Sequence, residues 1–178
     1  MRSLSRVLLA AITLAGLAVG CGNDVKEPQI SNATVRNGSE LKFRDALQEC
    51  QTVSLDQIAE VVGGNSASQS FYGAICRFTV GGQVGSVEVT FNWFESGSLE
   101  GERTALEKLG YDFSDVSVQS WKAVQAQPPN DPDSCGVTAR APDAGVVGWW
   151  VQYRPGSAHP DPCTTAIDLL KLTLNVAR

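Results

Sequence analysis

Two rhythms of apolar residues run through the chain from residue 54 onward. Leu55, Ile58, Ala59 and Val62 recur at the spacing of one helical face. Ser54-Leu55-Asp56-Gln57 before them is a capping-box pattern, and Gly63-Gly64 ends the stripe. Strict alternation follows. Tyr72, Ala74, Cys76, Phe78 and Val80 would share one face of a strand over residues 71–80. Val87, Val89, Phe91 and Trp93 would share one face of the next, opposite Glu88, Thr90 and Asn92. The glycine-rich link 81–85 joins the two as a hairpin. Ser98 opens a second helix with a partial stripe of Leu99, Glu102, Leu106 and Leu109, and Gly110 closes it. Val116, Val118, Trp121 and Ala123 suggest a third strand whose alternation is disturbed at Ser120. Cys135, Val137 and Ala139 mark a fourth strand. After a turn at 142–145, Val147, Trp149, Val151 and Tyr153 mark a fifth. Asp161 caps a last helix with Pro162 in its first turn and a stripe of Ile167, Leu170 and Leu174. The expected order is α-β-β-α-β-β-β-α. Hairpins dominate it, so the expected class is α+β: an antiparallel sheet of about five strands with helices packed on it.

The first 42 residues follow neither rhythm. Arg2 and Arg6 precede an apolar run over residues 8–19, then Leu17-Ala18-Val19-Gly20-Cys21. A basic start, a short apolar centre and small residues before a cysteine read as a lipoprotein signal peptide over 1–20. The apolar run is too short to span a bilayer as a helix, which needs about 20 residues. Cleavage would leave Cys21 to be acylated, and each buried CH₂ of its chains would add about 0.8 kcal/mol of membrane binding. A cleaved signal without lipid, or an uncleaved anchor, is the alternative. Residues 21–42 are polar and read as a flexible tether that lets a single domain, 43–178, stand off the membrane by roughly 25 Å.

Charge and cysteines agree with export. Fourteen basic residues face 19 acidic ones, a formal net charge of −5, and loss of 1–20 would remove two arginines and no acid. An acidic chain has no electrostatic footprint for nucleic acid and would be repelled by anionic headgroups. Beyond Cys21 there are four cysteines: Cys50, Cys76, Cys135 and Cys163. In an oxidising compartment they suggest two disulfides, with three possible pairings. The local solution, Cys50 with Cys76 and Cys135 with Cys163, is the one expected. Each would contribute on the order of 3 kcal/mol. A metal site is the rival reading, disfavoured by a single histidine, His159, and by the lack of any C-x-x-C. No cofactor is expected.

Several runs taken together are similar to a family of actinobacterial lipoproteins, the domain of unknown function numbered 3558. They are Glu49-Cys50, Gly73-Ala74-Ile75-Cys76-Arg77-Phe78, the stretch FNWFESGSLEGER at 91–103, Cys135-Gly136-Val137, Gly148-Trp149-Trp150-Val151 and a last helix bearing Cys163. Many members carry Asp-Pro before the first cysteine and Trp after Cys-Arg. Here Gln48-Glu49 and Phe78 stand there, and Asp161-Pro162 precedes the fourth cysteine instead. The resemblance implies location and disulfides more than activity.

Candidate chemistry is sparse. Glu95, Glu102 and Arg103 join a strand end to a helix start and could form a small polar site. Acids near a helix N-terminus also complement the macrodipole without further purpose. Trp149 and Trp150 would point to opposite faces of their strand, one into the core and the other toward a helix layer or solvent. His159 lies in a proline-rich loop and reads as solvated, and no G-x-S-x-G accompanies it. Asn130-Asp131-Pro132-Asp133 lacks the ligand spacing of a calcium loop. No catalytic or metal residue is assigned. The functional expectation is a non-catalytic binding or interaction module, lipid-anchored through Cys21 at the outer face of the plasma membrane. Its partner would be an envelope lipid, glycolipid or protein, with Trp150, Phe94 and Tyr153 as contact candidates. The alternative is a hydrolase-like envelope enzyme working near Glu95, Glu102 and Arg103.

Overall fold

A computed structural model describes residues 49–72, 75–142 and 144–176. The signal segment, Cys21, the tether and the first residues of the expected domain lie outside the described residues. Helix α1 (Leu55–Val62) forms where its cap predicts. Ser54 Oγ accepts from the Gln57 amide at 3.3 Å, and Gln57 Oε1 accepts from the Ser54 amide at 3.1 Å. Gly63 ends it in the left-handed conformation, φ 83°. Helix α2 (Leu99–Leu109) is capped by Ser98 and ended by Gly110, and α3 (Pro162–Val176) starts at Asp161, whose carboxylate takes the Thr164 amide at 2.7 Å. Among the described residues, no helix is long and apolar enough to cross a membrane.

The strands are β1 (Ser66–Tyr72), β2 (Ile75–Gly81), β3 (Val87–Phe94), β4 (Asp112–Val118), β5 (Trp121–Gln127), β6 (Ser134–Arg140) and β7 (Val146–Gln152). They form one antiparallel sheet of seven strands in the order β1-β2-β3-β7-β6-β5-β4. Five strands were expected, and both additional ones come from hairpins hidden in the alternation. Tyr72 pairs with Ile75, so the run 71–80 reverses near its start rather than continuing, and most of β1 lies before it. Val118 pairs with Trp121, so the disturbance at Ser120 is a two-residue turn between β4 and β5. Gln119 and Ser120 both hold positive φ, 50° and 74°. That is the signature of the turn whose twist matches a hairpin, usually supplied by Asn-Gly. Because Gln-Ser carries no such signal, the strand pattern runs straight through it.

Helices α1 and α3 pack side by side on one face of the sheet. Ile58, Val62, Leu169, Leu170 and Leu174 meet Phe78, Val89, Val137, Trp149 and Val151 there in one continuous apolar core. Trp149 is its centre. Its ring is 2% exposed, lies 4.9 Å from Phe91 and 5.9 Å from Phe78, and donates Nε1–H to Thr173 Oγ1 at 2.9 Å. That bond satisfies the one polar atom which burial would otherwise penalise. Both disulfides are present as expected. Cys50–Cys76 closes 26 residues and holds the three-residue 3₁₀ turn Glu49–Gln51 against β2, and Cys135–Cys163 closes 28 and clamps α3 to β6.

Helix α2 lies on the opposite face, over β4, β5 and β6. Leu106 packs there on Val124 and Ala126, with Tyr111, Phe113 and Trp150 around them. Trp150 lies flat over Gly136, where any Cβ would collide with its indole, and meets Tyr111 edge-on at 5.8 Å. The glycine is what lets a tryptophan lie against the sheet.

Candidate functional site

Two turns and a helix start, distant in sequence, converge at one end of the sheet. Gly97, Ser98 and Leu99 begin α2. Ser120 belongs to the β4–β5 turn, Trp121 and Lys122 begin β5, Arg140 ends β6, and Gly145 belongs to the turn into β7. Together they line a cavity of about 480 Å³. That falls within the range of small-molecule sites, roughly 300–1,000 Å³. Leu99, from the α2 face, supplies its apolar wall, and Trp121 borders it while its side chain packs against the core of the other face.

Among the described residues, Lys122 and Arg140 are the only charged ones in its lining, and no acid joins them. Register explains their proximity. Ala123 pairs with Ala139 and Val124 with Thr138, so Lys122 and Arg140 stand one step further along, on the face that carries Val124 and Thr138. Neither makes an ion pair among the described residues, whereas Arg103 and Lys171 do. Helix α2 presents its amino end to the same space. Ser98 takes the Gly101 amide on its hydroxyl (3.0 Å) and the Glu102 amide on its carbonyl (2.9 Å). The amides of Leu99 and Glu100 are left without an acceptor among the described residues.

The residues singled out from sequence are scattered. Trp150 sits under the α2 layer, while Tyr153 is buried on the opposite side, its hydroxyl donating to the Val62 carbonyl at 3.0 Å and lying 3.2 Å from Thr165 Oγ1. Phe94 is 39% exposed at the end of β3. None of the three lines the cavity. Glu95 is exposed and does not meet Arg103, which instead pairs with Asp115 on β4, Nε to Oδ1 at 3.1 Å. Burial pushes the Glu102 carboxyl above its usual range. The cavity residues Lys122 and Arg140 were missed from sequence. The signal that could have found them was a pair of cations at mirrored ends of two strands joined by a loop, readable only once the register was known.

His159 departs most from its reading as a solvated side chain. It is 12% exposed and stacks on Tyr153, ring centroids 4.2 Å apart. Nδ1 lies 2.7 Å from the Pro160 carbonyl and Nε2 lies 2.8 Å from Asp133 Oδ1. Both partners are acceptors, so the geometry favours the ring with both nitrogens protonated. The Pro160 carbonyl raises its pKa, and the nearby carboxylates of Asp133 and Asp161 add to this against the opposing effect of burial. A ring with both nitrogens bonded in this way is a clasp between the β5–β6 loop and the segment before α3. It is not poised as a general base. Among the described residues, no cluster of three or more His, Cys, Asp or Glu could hold a metal ion.

The architecture is an α+β domain with a polar-ended cavity on a disulfide-stapled sheet. The family described as "Protein of unknown function (DUF3558)" matches residues 16–175, and the chain belongs to it. No curated protein and no solved structure matches.

Proposed function

We propose that this chain is a non-catalytic binding module of the cell envelope, held at the outer face of the plasma membrane by lipid on Cys21. The cavity at the loop end of the sheet carries the reading. It is concave, partly apolar and lined by a few polar groups, on a scaffold made rigid by two disulfides. The lipobox at Cys21 and the resemblance to the mycobacterial lipoproteins LprC and LprB support the anchor. The partner would be an envelope lipid, glycolipid or protein, and the acidic balance argues against nucleic acid.

The test has two parts. Cells fed an alkynyl fatty acid should label the wild-type chain and leave Cys21→Ser unlabelled, and equal labelling would remove the anchor. The full chain, purified from envelope membranes and analysed by mass spectrometry, should retain a ligand that Trp121→Ala releases. The second reading, a hydrolase-like enzyme, rests on Glu102, whose carboxyl is raised by burial. Reproducible turnover of an ester, peptide or glycoside, lost in Glu102→Gln, would replace the binding module with that enzyme.

A further inference from the structure

We propose that the cavity at the end of the sheet binds a phosphate monoester, its phosphate held between Lys122 and Arg140 and its organic part against Leu99. This rests on the binding-module reading and names the ligand chemistry of that site.

Like charges placed side by side across neighbouring strands repel, and folded chains normally relieve them with an acid. Acids are in excess here, 19 against 14 basic residues. Lys122 and Arg140, both exposed, nevertheless share one face at adjoining register positions, with no carboxylate partner and no acid in the cavity wall among the described residues. An anion between them turns this repulsion into two attractions. The start of α2 adds to the same potential, because Gly97, Ser98 and Leu99 line the space and the first two helical amides lack acceptors. The set suits a phosphate better than a carboxylate. The Arg140 fork can take two oxygens at once and the Lys122 ammonium acts as a point charge on a third. A carboxylate has only two oxygens to offer. The volume of about 480 Å³ leaves room beside the phosphate for a small organic group. A monoester phosphate offers these three oxygens whether it ends a lipid, as in a phosphatidic acid, or a soluble ester, and the chemistry that recognises it is the same.

The experiment is a calorimetric titration of the full chain in neutral detergent. The probes are inorganic phosphate, glycerol 1-phosphate, and dihexanoyl phosphatidic acid below its micelle concentration, with dihexanoyl phosphatidylcholine as the zwitterionic diester comparison. Saturable binding of glycerol 1-phosphate or the anionic lipid is expected, weakened by added salt. Lys122→Gln and Arg140→Gln should each weaken it by about tenfold or more, and the double variant should abolish it. Arg154→Gln, which removes an exposed cation of another loop, should bind as wild type. A preference for the anionic lipid over glycerol 1-phosphate assigns a lipid source, and equal affinities assign a soluble ester. Both Gln variants should melt no lower than wild type without ligand, since each removes repulsion, so lost binding is not lost folding. Absence of saturable binding for every phosphate probe at millimolar concentration overturns the proposal, as does undiminished binding by the double variant. If that happens while Trp121→Ala still releases an envelope ligand, the binding module stands and only its phosphate chemistry falls.

Discussion

The two faces of the sheet solve the burial problem to different degrees. Against α1 and α3 the sheet presents Val, Phe and Trp side chains that are almost all inaccessible, and the buried polar-tipped rings of Trp149 and Tyr153 are bonded to Thr173 and the Val62 carbonyl. Against α2 it presents a small apolar cluster around Leu106, then runs out into Lys122, Arg140 and an open cavity. One face supplies the stability that the other leaves unspent in favour of exposed polar groups. The adjacent residues Trp149 and Trp150 make the contrast within a single dipeptide. The first is sealed, and the second is half-buried between Gly136 and Tyr111.

That contrast can be broken most directly at those two rings. Trp149→Ala should cost about 3–5 kcal/mol, because it opens a cavity in a close-packed core and strands Thr173. Trp150→Ala should cost about half as much, since its ring is already partly solvated. Urea unfolding of both variants decides it, and equal losses would mean that the α2 face is as much a core as the other. Next in size is the clamp on the sealed face. Replacing Cys135 and Cys163 together with Ser should remove about 3 kcal/mol, read as a lower urea midpoint, by freeing α3 from β6 in the unfolded ensemble.

The third effect is a pH dependence. The folded pKa of His159 lies above its ordinary 6.5. Its contribution is therefore complete below about pH 6.5 and is lost as pH rises through the folded value. Asp133 from the β5–β6 loop, Asp161 before α3 and the Tyr153 ring at the end of β7 are the groups that face it. Thermal melts from about pH 6 to pH 9 should show wild type losing midpoint relative to His159→Gln. Parallel curves would return His159 to a solvated role. The smallest effect lies at the cavity edge. Ser120 holds φ 74°, which costs a residue with a Cβ, so Ser120→Gly should be neutral or stabilise by up to about 1 kcal/mol. A clear loss of midpoint would show that the serine side chain is needed there.

Helix boundaries were legible because each is written locally. Ser54 with Gln57, Ser98 and Asp161 supply the starts, and Gly63 and Gly110 supply the stops. The opposed faces of Trp149 and Trp150 were legible for the same reason, since strand geometry alternates them. Leu55 and Leu109 show where the helical pattern overreached. Both belong to apolar stripes, yet they stand 37% and 63% exposed at the ends of their helices. The hairpin at Gln119-Ser120 was not legible, because an apolar alternation can pass through a tight turn unchanged when no glycine or asparagine marks it; at Tyr72–Ile75 the sequence does carry Gly73, and the alternation was read straight through it.

What the sequence by itself determined is therefore whatever depends on neighbours along the chain. Capped helices, alternating strands, an even cysteine set beyond Cys21 and membership of the α+β class all follow from short-range patterns. The tertiary structure alone decided the strand count and order, the partners of His159 and the cavity between residues 97–99, 120–122, 140 and 145. Each of those depends on register, and register is set by packing between segments that lie far apart in the chain. Lys122 and Arg140 are ordinary cations when read in order. Only the pairing of β5 with β6 makes them neighbours, and only the start of α2 completes the site around them.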